Sequence, residues 1–542
     1  MKRLFKILGI ALLCLLGILF TLGLVGFILY QSADFREPIL ENRQGKYSLE
    51  NHQTRYTSFG KSKLRKSDNG FWELYLEGDA QTRGEAFGVL CKDLIQEQEK
   101  AFVDQIQQIV PNHRYLRCLN FLTILFNRNL KRHIPEEYNR EIAALAAHCS
   151  HQYDFIGSPF LRQLNYHAAH DIGHAMQEYM LVGCSAYGAW GEQTENGELI
   201  VARNFDFYVG DRFAQNKILM FCKPQEGHRF VSVTWPGMIG VLSGMNDQGL
   251  SVTINAAKGS IPLSSATPVS ILARQILQYA STIQEAYALA EKTQVFVSES
   301  FLIGSAREKR CAVIEKSPTR QALYTSPEAI IRLTNHFQSK EFSMDQHNQK
   351  QIAESDSPIR LERLDVLTHD LAPLNVEKSV AILRDHSSPE GKDLGLSNPI
   401  AINQQIAHHS VVFLPEELKM WISTDHWGYG KWVVYDVGKI LNDEKPFEEE
   451  LYQQDQLIAE DSVFTHRDLA FLSKYRYLKD NLTENCIEEF IRINPFNWAT
   501  YEHIASYYHQ QGIHHKAEEY RRKALRCTIP QGERIKIEKQ LK

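Results

Sequence analysis

The chain has no excess of basic charge. Its 60 lysines and arginines stand against 65 aspartates and glutamates, a formal net charge of −5, so nothing in the balance recommends a nucleic-acid partner. It is also poor in cysteine, with nine in 542 residues at irregular spacings and no Cys-x-x-Cys pair, which excludes a small secreted scaffold held together by disulfides. A complete metal signature is missing as well. His170 and His174 stand four apart with Asp171 beside the first, close to the zinc motif His-Glu-x-x-His. Aspartate is one methylene short of glutamate, however, Gly173 weakens a helix, and no third ligand declares itself. A structural or pocket-lining segment is the preferred reading, a zinc hydrolase the least favoured one, and no metal or cofactor is expected.

What is present begins with an apolar start. Lys2, Arg3 and Lys6 precede an uncharged run from Ile7 to Ala33. At about 1.5 Å per helical residue the stretch from Ile7 to Tyr30 is long enough to cross a hydrocarbon core of about 30 Å. Residues 1–33 are therefore expected to be an uncleaved transmembrane helix with its basic end in the cytoplasm and the rest of the chain extracytoplasmic, periplasmic or extracellular. A cleaved signal is disfavoured, because the run exceeds the usual h-region and Gln31 stands where a small residue would be wanted.

Residues 34–70 are polar and read as a stalk. Residues 71–183 open with a strand-like alternation at Phe71-Trp-Glu-Leu-Tyr-Leu76 and continue with helical spacing. From Cys184 the texture changes to short β-rich segments broken by Asn196-Gly197, Pro236-Gly237 and Asp247-Gln-Gly249. Two helices are expected at about 268–280 and 283–293, and further strands complete residues 184–442. Strands, helices and strands behind a helical block fit two sheets packed face to face between helical layers. Residues 443–542 read as an acidic linker and a helical tail. There Tyr501, Ala505, Tyr508, Gly512, Ala517, Ala524 and Pro530 fall near the tetratricopeptide pattern, which leaves a protein partner at the tail open beside a plain helical cap.

Cys184 follows a glycine at the start of this β-rich part. A thiol that is the first residue of a chain has its own α-amine within reach, and that amine, with a pKa of about 7.7–8.0, can act as general base. The idea requires cleavage between Gly183 and Cys184. Glycine tolerates the strained backbone that lets a thiol attack the preceding carbonyl.

Four fragments then occur in order: Gly183-Cys184, Arg203-Asn-Phe-Asp206, Gly244-Met-Asn-Asp-Gln-Gly-Leu250 leading to Thr253-Ile-Asn255, and Leu333-Thr-Asn-His-Phe337. Together they resemble the penicillin acyltransferase family of N-terminal-nucleophile hydrolases, and more distantly acid ceramidase and the bile-salt hydrolases. The likeness spans about residues 70–440. It implies an α+β, four-layer αββα sandwich and self-cleavage at Gly183–Cys184 into two chains that stay together, 71–183 and the nucleophile-bearing 184–442. It further implies that Cys184 is nucleophile and base and acts on a small-molecule acyl amide or acyl thioester through a thioester.

Beside that resemblance the residues suggest their own roles. Asp206 can hold the α-amine, and Arg203 can favour the thiolate. Asn255 and Asn335 can donate to the anionic oxygen of a tetrahedral intermediate. Three residues apart in a regular strand means opposite faces, so a bend is expected at Asn204-Phe205. The family's founding member has aromatic residues where this chain has Arg203-Asn-Phe-Asp206, so simple hydrolysis is at least as favoured as transfer to a second acceptor. A non-catalytic, membrane-tethered assembly protein is the rival from another class.

Overall fold

The computed structural model describes residues 2–31, 33–43, 45–52, 55–109, 112–175, 181–444 and 446–542. Among the described residues the β segments form two sheets. The larger has eleven strands in the spatial order Leu49–His52, Tyr56–Phe59, Ser62–Lys66, Trp72–Gly78, Ile218–Pro224, Phe230–Thr234, Ser243–Asn246, Leu250–Ala257, Ser298–Ser305, Arg310–Lys316 and Gln321–Tyr324. The smaller runs Ile330–Leu333, Ser185–Gly191, Gly197–Tyr208, Ala407–Leu414, Lys419–Ser423, Trp432–Asp436 and Tyr452–Ile458, with Leu181–Val182 also paired to Gly197–Tyr208. Among the described strands, pairing is antiparallel except between Trp72–Gly78 and Ile218–Pro224, which are parallel and joined through the helical block and the first strands of the smaller sheet.

Period-two alternation sends one face of each sheet inward. Leu219, Phe221, Val231 and Val233 of the larger sheet meet Val201, Val411, Phe413 and Ile422 of the smaller in one buried cluster. The outer face of the larger sheet is covered by Ala80–Leu90, Glu136–Ala146, Pro159–His167 and Val269–Tyr279, whose apolar sides join a second cluster. Ser357–Asp370 and Val376–Arg384 cover the outer face of the smaller sheet through Leu364, Val380 and Leu383. The result is four layers, helix, sheet, sheet, helix.

The expected membrane anchor is corrected. Residues Lys2–Gln31 are helical, yet among the described residues no helix is long and apolar enough to cross a membrane. The single-pass placement with an extracytoplasmic catalytic part loses its support with it. An apolar run reports only that a segment avoids water, and here the helix runs beside His113–Phe126, where a Cβ added at Gly26 would touch Leu125.

Residues 34–70, expected as a stalk, contain three strands of the larger sheet, because Arg65 finds a buried partner in Glu73 at 2.5 Å on the neighbouring strand. The expected acidic linker is likewise partly built in: Pro446 and Glu449 accept through their carbonyls from Lys63 and Arg65, and Tyr452–Ile458 is the smaller sheet's last strand.

Helices Trp498–Gln510 and His514–Ala524 form the hairpin read from the tail, turning at Gly512 with φ +75°. Leu469–Asp480 and Ile487–Ile493 close its apolar side through Tyr475, Leu478 and Phe490. The tail is docked on the sandwich, with the Asn494 and Asn497 amides donating to Leu396 O at 2.9 and 2.8 Å.

Candidate active site

Gly183 and Cys184 lie where a strand lapses for two residues without losing register. Val182 stays opposite Phe207 and Ser185 opposite Asn204, while Gly183 N donates to Asp206 O at 3.2 Å. The bond expected to break is thus held in an extended ladder against Gly197–Tyr208.

That strand is continuous through Asn204 and Phe205, so the expected bend is absent. The irregularity lies on its partner, where the register shifts between Ala407 and His409. Regular alternation serves the site instead. Arg203 points to the larger sheet, donating through Nη1 to Leu242 O and Ser243 Oγ, both at 2.6 Å, and through Nη2 to Ile254 O. Asn204 points the other way, to Leu383 O and Ile402 O at 2.8 and 3.1 Å. Asp206 shares Asn204's face by the same period, with the Arg360 guanidinium as its main electrostatic partner. Cys184, in the lapse opposite Phe205, has its Sγ on the Arg203 side and its carbonyl oxygen on Arg360.

Arg203 Nη2 lies 3.6 Å from Cys184 Sγ. Burial pushes the thiol up to about 11, and the Arg203 guanidinium works against that rise. Arg203 itself is wholly buried, its guanidinium over the Phe205 ring at 4.5 Å, and burial lowers its pKa. Asp206 is equally buried, and neither of its carboxylate oxygens has a hydrogen-bond partner. Burial raises its pKa to about 8, with Arg360 and Arg203 pulling it down. Burying a carboxyl without a hydrogen bond is costly, and the raised pKa keeps this one neutral in the uncut chain.

The two asparagines are cross-tied. Asn335 Nδ2 donates to Ala256 O at 2.8 Å, and Asn255 Nδ2 to Thr334 O at 3.2 Å, which fastens Leu250–Ala257 to the end of Ile330–Leu333. Asn335 is joined to Cys184 through Arg360, whose Nη2 donates to Asn335 Oδ1 at 2.8 Å and whose Nη1 donates to Cys184 O at 2.7 Å. Asn255 belongs one layer back: its Oδ1 is buried and unpaired, and its neighbour Ile254 takes the Arg203 bond.

Several contributors had no sequence signal as site residues. Arg360 comes from the helix Ser357–Asp370. Gln404, from the loop before Ala407–Leu414, donates through Nε2 to Gly183 O at 2.6 Å. His409 Nε2 meets Ser243 Oγ at 2.8 Å, behind Arg203, and His408 Nδ1 meets His409 Nδ1 at 2.9 Å. Burial pushes both histidines well below their ordinary value, so the pair stands neutral behind the guanidinium.

The zinc alternative turns on two side chains of the segment Ala169–Ala175. The side chains of His170 and His174 lie outside the described residues, and among the described residues no group of three His, Cys, Asp or Glu is placed to hold a metal. Asp171 is taken up structurally, its Oδ2 accepting from Val269 N at 2.9 Å at the start of Val269–Tyr279. Phe102, Phe207, Phe213, Trp235 and Met238 line a small cavity of about 30 Å³, together with Glu99, Tyr166 and His167.

Residues 193–427 match the acyl-coenzyme A:6-aminopenicillanic acid acyl-transferase family. The matched part holds Arg203, Asp206, Asn255, Asn335, Arg360 and Gln404 and begins just past Cys184. It supports a function of the amidohydrolase or acyltransferase kind. The chain is 27% identical over 271 residues to an uncharacterized protein of Archaeoglobus fulgidus, covering 47% of this chain and 45% of that one. It is 25% identical over 263 residues to protein dcd1B of Dictyostelium discoideum, covering 45% and 50%. The chain thus spans about half the length of the curated relatives it matches.

Among solved structures, the Caenorhabditis elegans ortholog of N-acylethanolamine-hydrolyzing acid amidase is 17% identical with a TM-score of 0.31, over 43% of this chain and 93% of that one. A mutant form of the conjugated bile acid hydrolase from Clostridium perfringens is 11% identical with a TM-score of 0.32, over 49% and 95%.

Proposed function

We propose that the protein is a self-processing cysteine amidohydrolase or acyltransferase that cuts itself between Gly183 and Cys184 and then acts on a small-molecule acyl amide through a thioester on Cys184. The observation that carries this reading is the conjunction at one peptide bond of a thiol 3.6 Å from a buried guanidinium and a buried carboxyl neither of whose oxygens has a hydrogen-bond partner.

Scission would turn the Cys184 nitrogen from an amide into an amine. Asp206 can then hold the amine, which, with a free-chain pKa of about 7.7–8.0, can take the thiol proton. The thiolate attacks the acyl carbon, and the amide C–N bond breaks as the leaving nitrogen receives that proton. Water, or a second acceptor, then cleaves the thioester. The Asn335 amide, held by Arg360, is the side-chain donor for the oxyanion, with Asn255 behind it.

N-terminal sequencing of the purified protein tests this directly. A chain beginning Cys-Ser-Ala-Tyr is expected from the parent, and a single chain of 62.3 kDa from Cys184→Ala. Active parent protein with the Gly183–Cys184 bond intact would overturn it.

A further inference from the structure

We infer that Gln404 is a catalytic residue for the scission step, the donor that holds the Gly183 carbonyl oxygen as it becomes an oxyanion. The inference rests on the self-processing reading above.

Gln404 Nε2 donates to Gly183 O at 2.6 Å, and that oxygen belongs to the carbonyl Cys184 must attack. Only the nitrogen end of the amide can face a carbonyl oxygen, because the other end would set two acceptors against each other. The contact is buried and close: a Cβ added at Gly183 would come within 2.2 Å of Gln404 Nε2. The carbonyl is also fixed in direction, since Gly183 N is committed to Asp206 O and Cys184 O to Arg360 Nη1.

The loop that presents Gln404 is itself tied down. Asn403 Nδ2 donates to Leu383 O and Trp427 O at 3.0 and 2.8 Å, and Gln405 N donates to Asn403 Oδ1 at 3.0 Å. Gln405 sits at φ +58°, a left-handed conformation that an unconstrained glutamine seldom adopts. A donor held on the scissile carbonyl before reaction is the arrangement that stabilises the charge developing there.

The chemistry balances without a further reactant until water enters. Sγ of Cys184 bonds to the Gly183 carbonyl carbon, the C–N bond to Cys184 breaks, and the thiol proton passes to the departing nitrogen, leaving a thioester and a free α-amine. Water then adds to the same carbon, the S–C bond breaks, and the thiol returns beside a Gly183 carboxylic acid. In both steps the negative charge gathers on the oxygen that Gln404 holds.

The test follows loss of the full-length 62.3 kDa band with time. Removing one oxyanion donor costs about 10²–10³ in rate, so Gln404→Met, similar in size but without an N–H, should cut about 100-fold more slowly than the parent. Gln404→Glu can donate only while its carboxyl is protonated. Its scission rate relative to the parent should therefore rise by about tenfold or more from pH 8 to pH 5, whereas that of Gln404→Met stays flat. A side chain that merely filled space would produce no such split. Should Gln404→Met fail to fold, the pH ratio of Gln404→Glu decides alone. If the parent cuts and Gln404→Met keeps pace, or the Gln404→Glu ratio is flat, the inference falls and the self-processing reading stands. If the parent is active and never cut, both fall.

Discussion

Arg476 of the C-terminal helices donates through Nη2 to the carbonyl oxygen of Gln405 at 2.8 Å, tying the tail to the loop that presents Gln404 to Gly183. Its guanidinium also lies over the Trp427 ring at 4.7 Å and reaches Asp211 at 2.8 Å. The tail therefore braces the site from outside the family-matched segment. Arg476→Ala should cost about 1–2 kcal/mol in stability, mainly from the hydrogen bond to Gln405 O and the ring contact with Trp427, because the exposed Asp211 pair adds little. Scission should slow severalfold, read as the time course on a denaturing gel. Parental scission in a variant of lowered melting temperature would show that the brace does not reach the reaction.

Gly183→Ala should slow scission by about tenfold or more, equivalent to a barrier raised by about 1.4 kcal/mol. The demand here is for space. The new methyl would stand 2.2 Å from Gln404 Nε2, and the amide can yield only by leaving the carbonyl it donates to. Mass spectrometry of freshly made protein, counting intact against cut chain, checks this.

Arg203→Met removes the charge that opposes burial at the Cys184 thiol, already pushed up to about 11. Each further unit of rise lowers the thiolate fraction at neutral pH about tenfold, so scission at pH 7 should fall by about that factor or more, and its rise with pH should move to higher pH. Arg203→Lys should recover only part, because a point charge cannot reach Leu242 O, Ser243 Oγ, Ile254 O and Sγ together. A pH series of scission rates with both variants separates charge from geometry.

Asp206 makes the uncut protein sensitive to pH in a definite direction. Its pKa rises from an ordinary 3.8 to about 8, so between those values the folded chain binds more protons than the unfolded one. Stability is then greatest below about pH 4 and is lost as pH climbs through about 8. The uncut variant Cys184→Ala should show this fall in melting temperature, and Cys184→Ala with Asp206→Asn should show much less of it. Equal slopes would mean that the carboxyl is not held neutral in the uncut chain.

Much of the sandwich was legible as local pattern. The alternation at Phe71–Leu76 became Trp72–Gly78, and the helices expected at 268–280 and 283–293 are Val269–Tyr279 and Ile283–Lys292. Such segments carry their period and their turn residues within themselves, so neighbouring positions suffice to read them. Residues 34–70 failed as a stalk for the complementary reason. Leu49–His52 and Tyr56–Phe59 have little apolar alternation of their own, and Ser62–Lys66 is basic; they are strands because the Trp72–Gly78 strand offers an open edge and Glu73 a buried partner for Arg65. The apolar start was read as a membrane span because apolar composition records aversion to water, and the helix it forms meets Leu125 of another helix.

By itself the sequence determined which residue types stand near one another along the chain: a cysteine after a glycine, an arginine and an aspartate three apart, and two asparagines after strand-like runs. Regular strand period puts Arg203 and Asp206 on opposite faces, but the sequence alone led instead to an expected bend at Asn204-Phe205 that the continuous Gly197–Tyr208 strand lacks. Only the tertiary structure decided what those faces meet. It set Arg203 against the backbone of the larger sheet, Asp206 on the side of Arg360, and Gln404 on the Gly183 carbonyl from 221 residues away. Contacts between such distant segments depend on the packing of whole layers, and no local spacing records that.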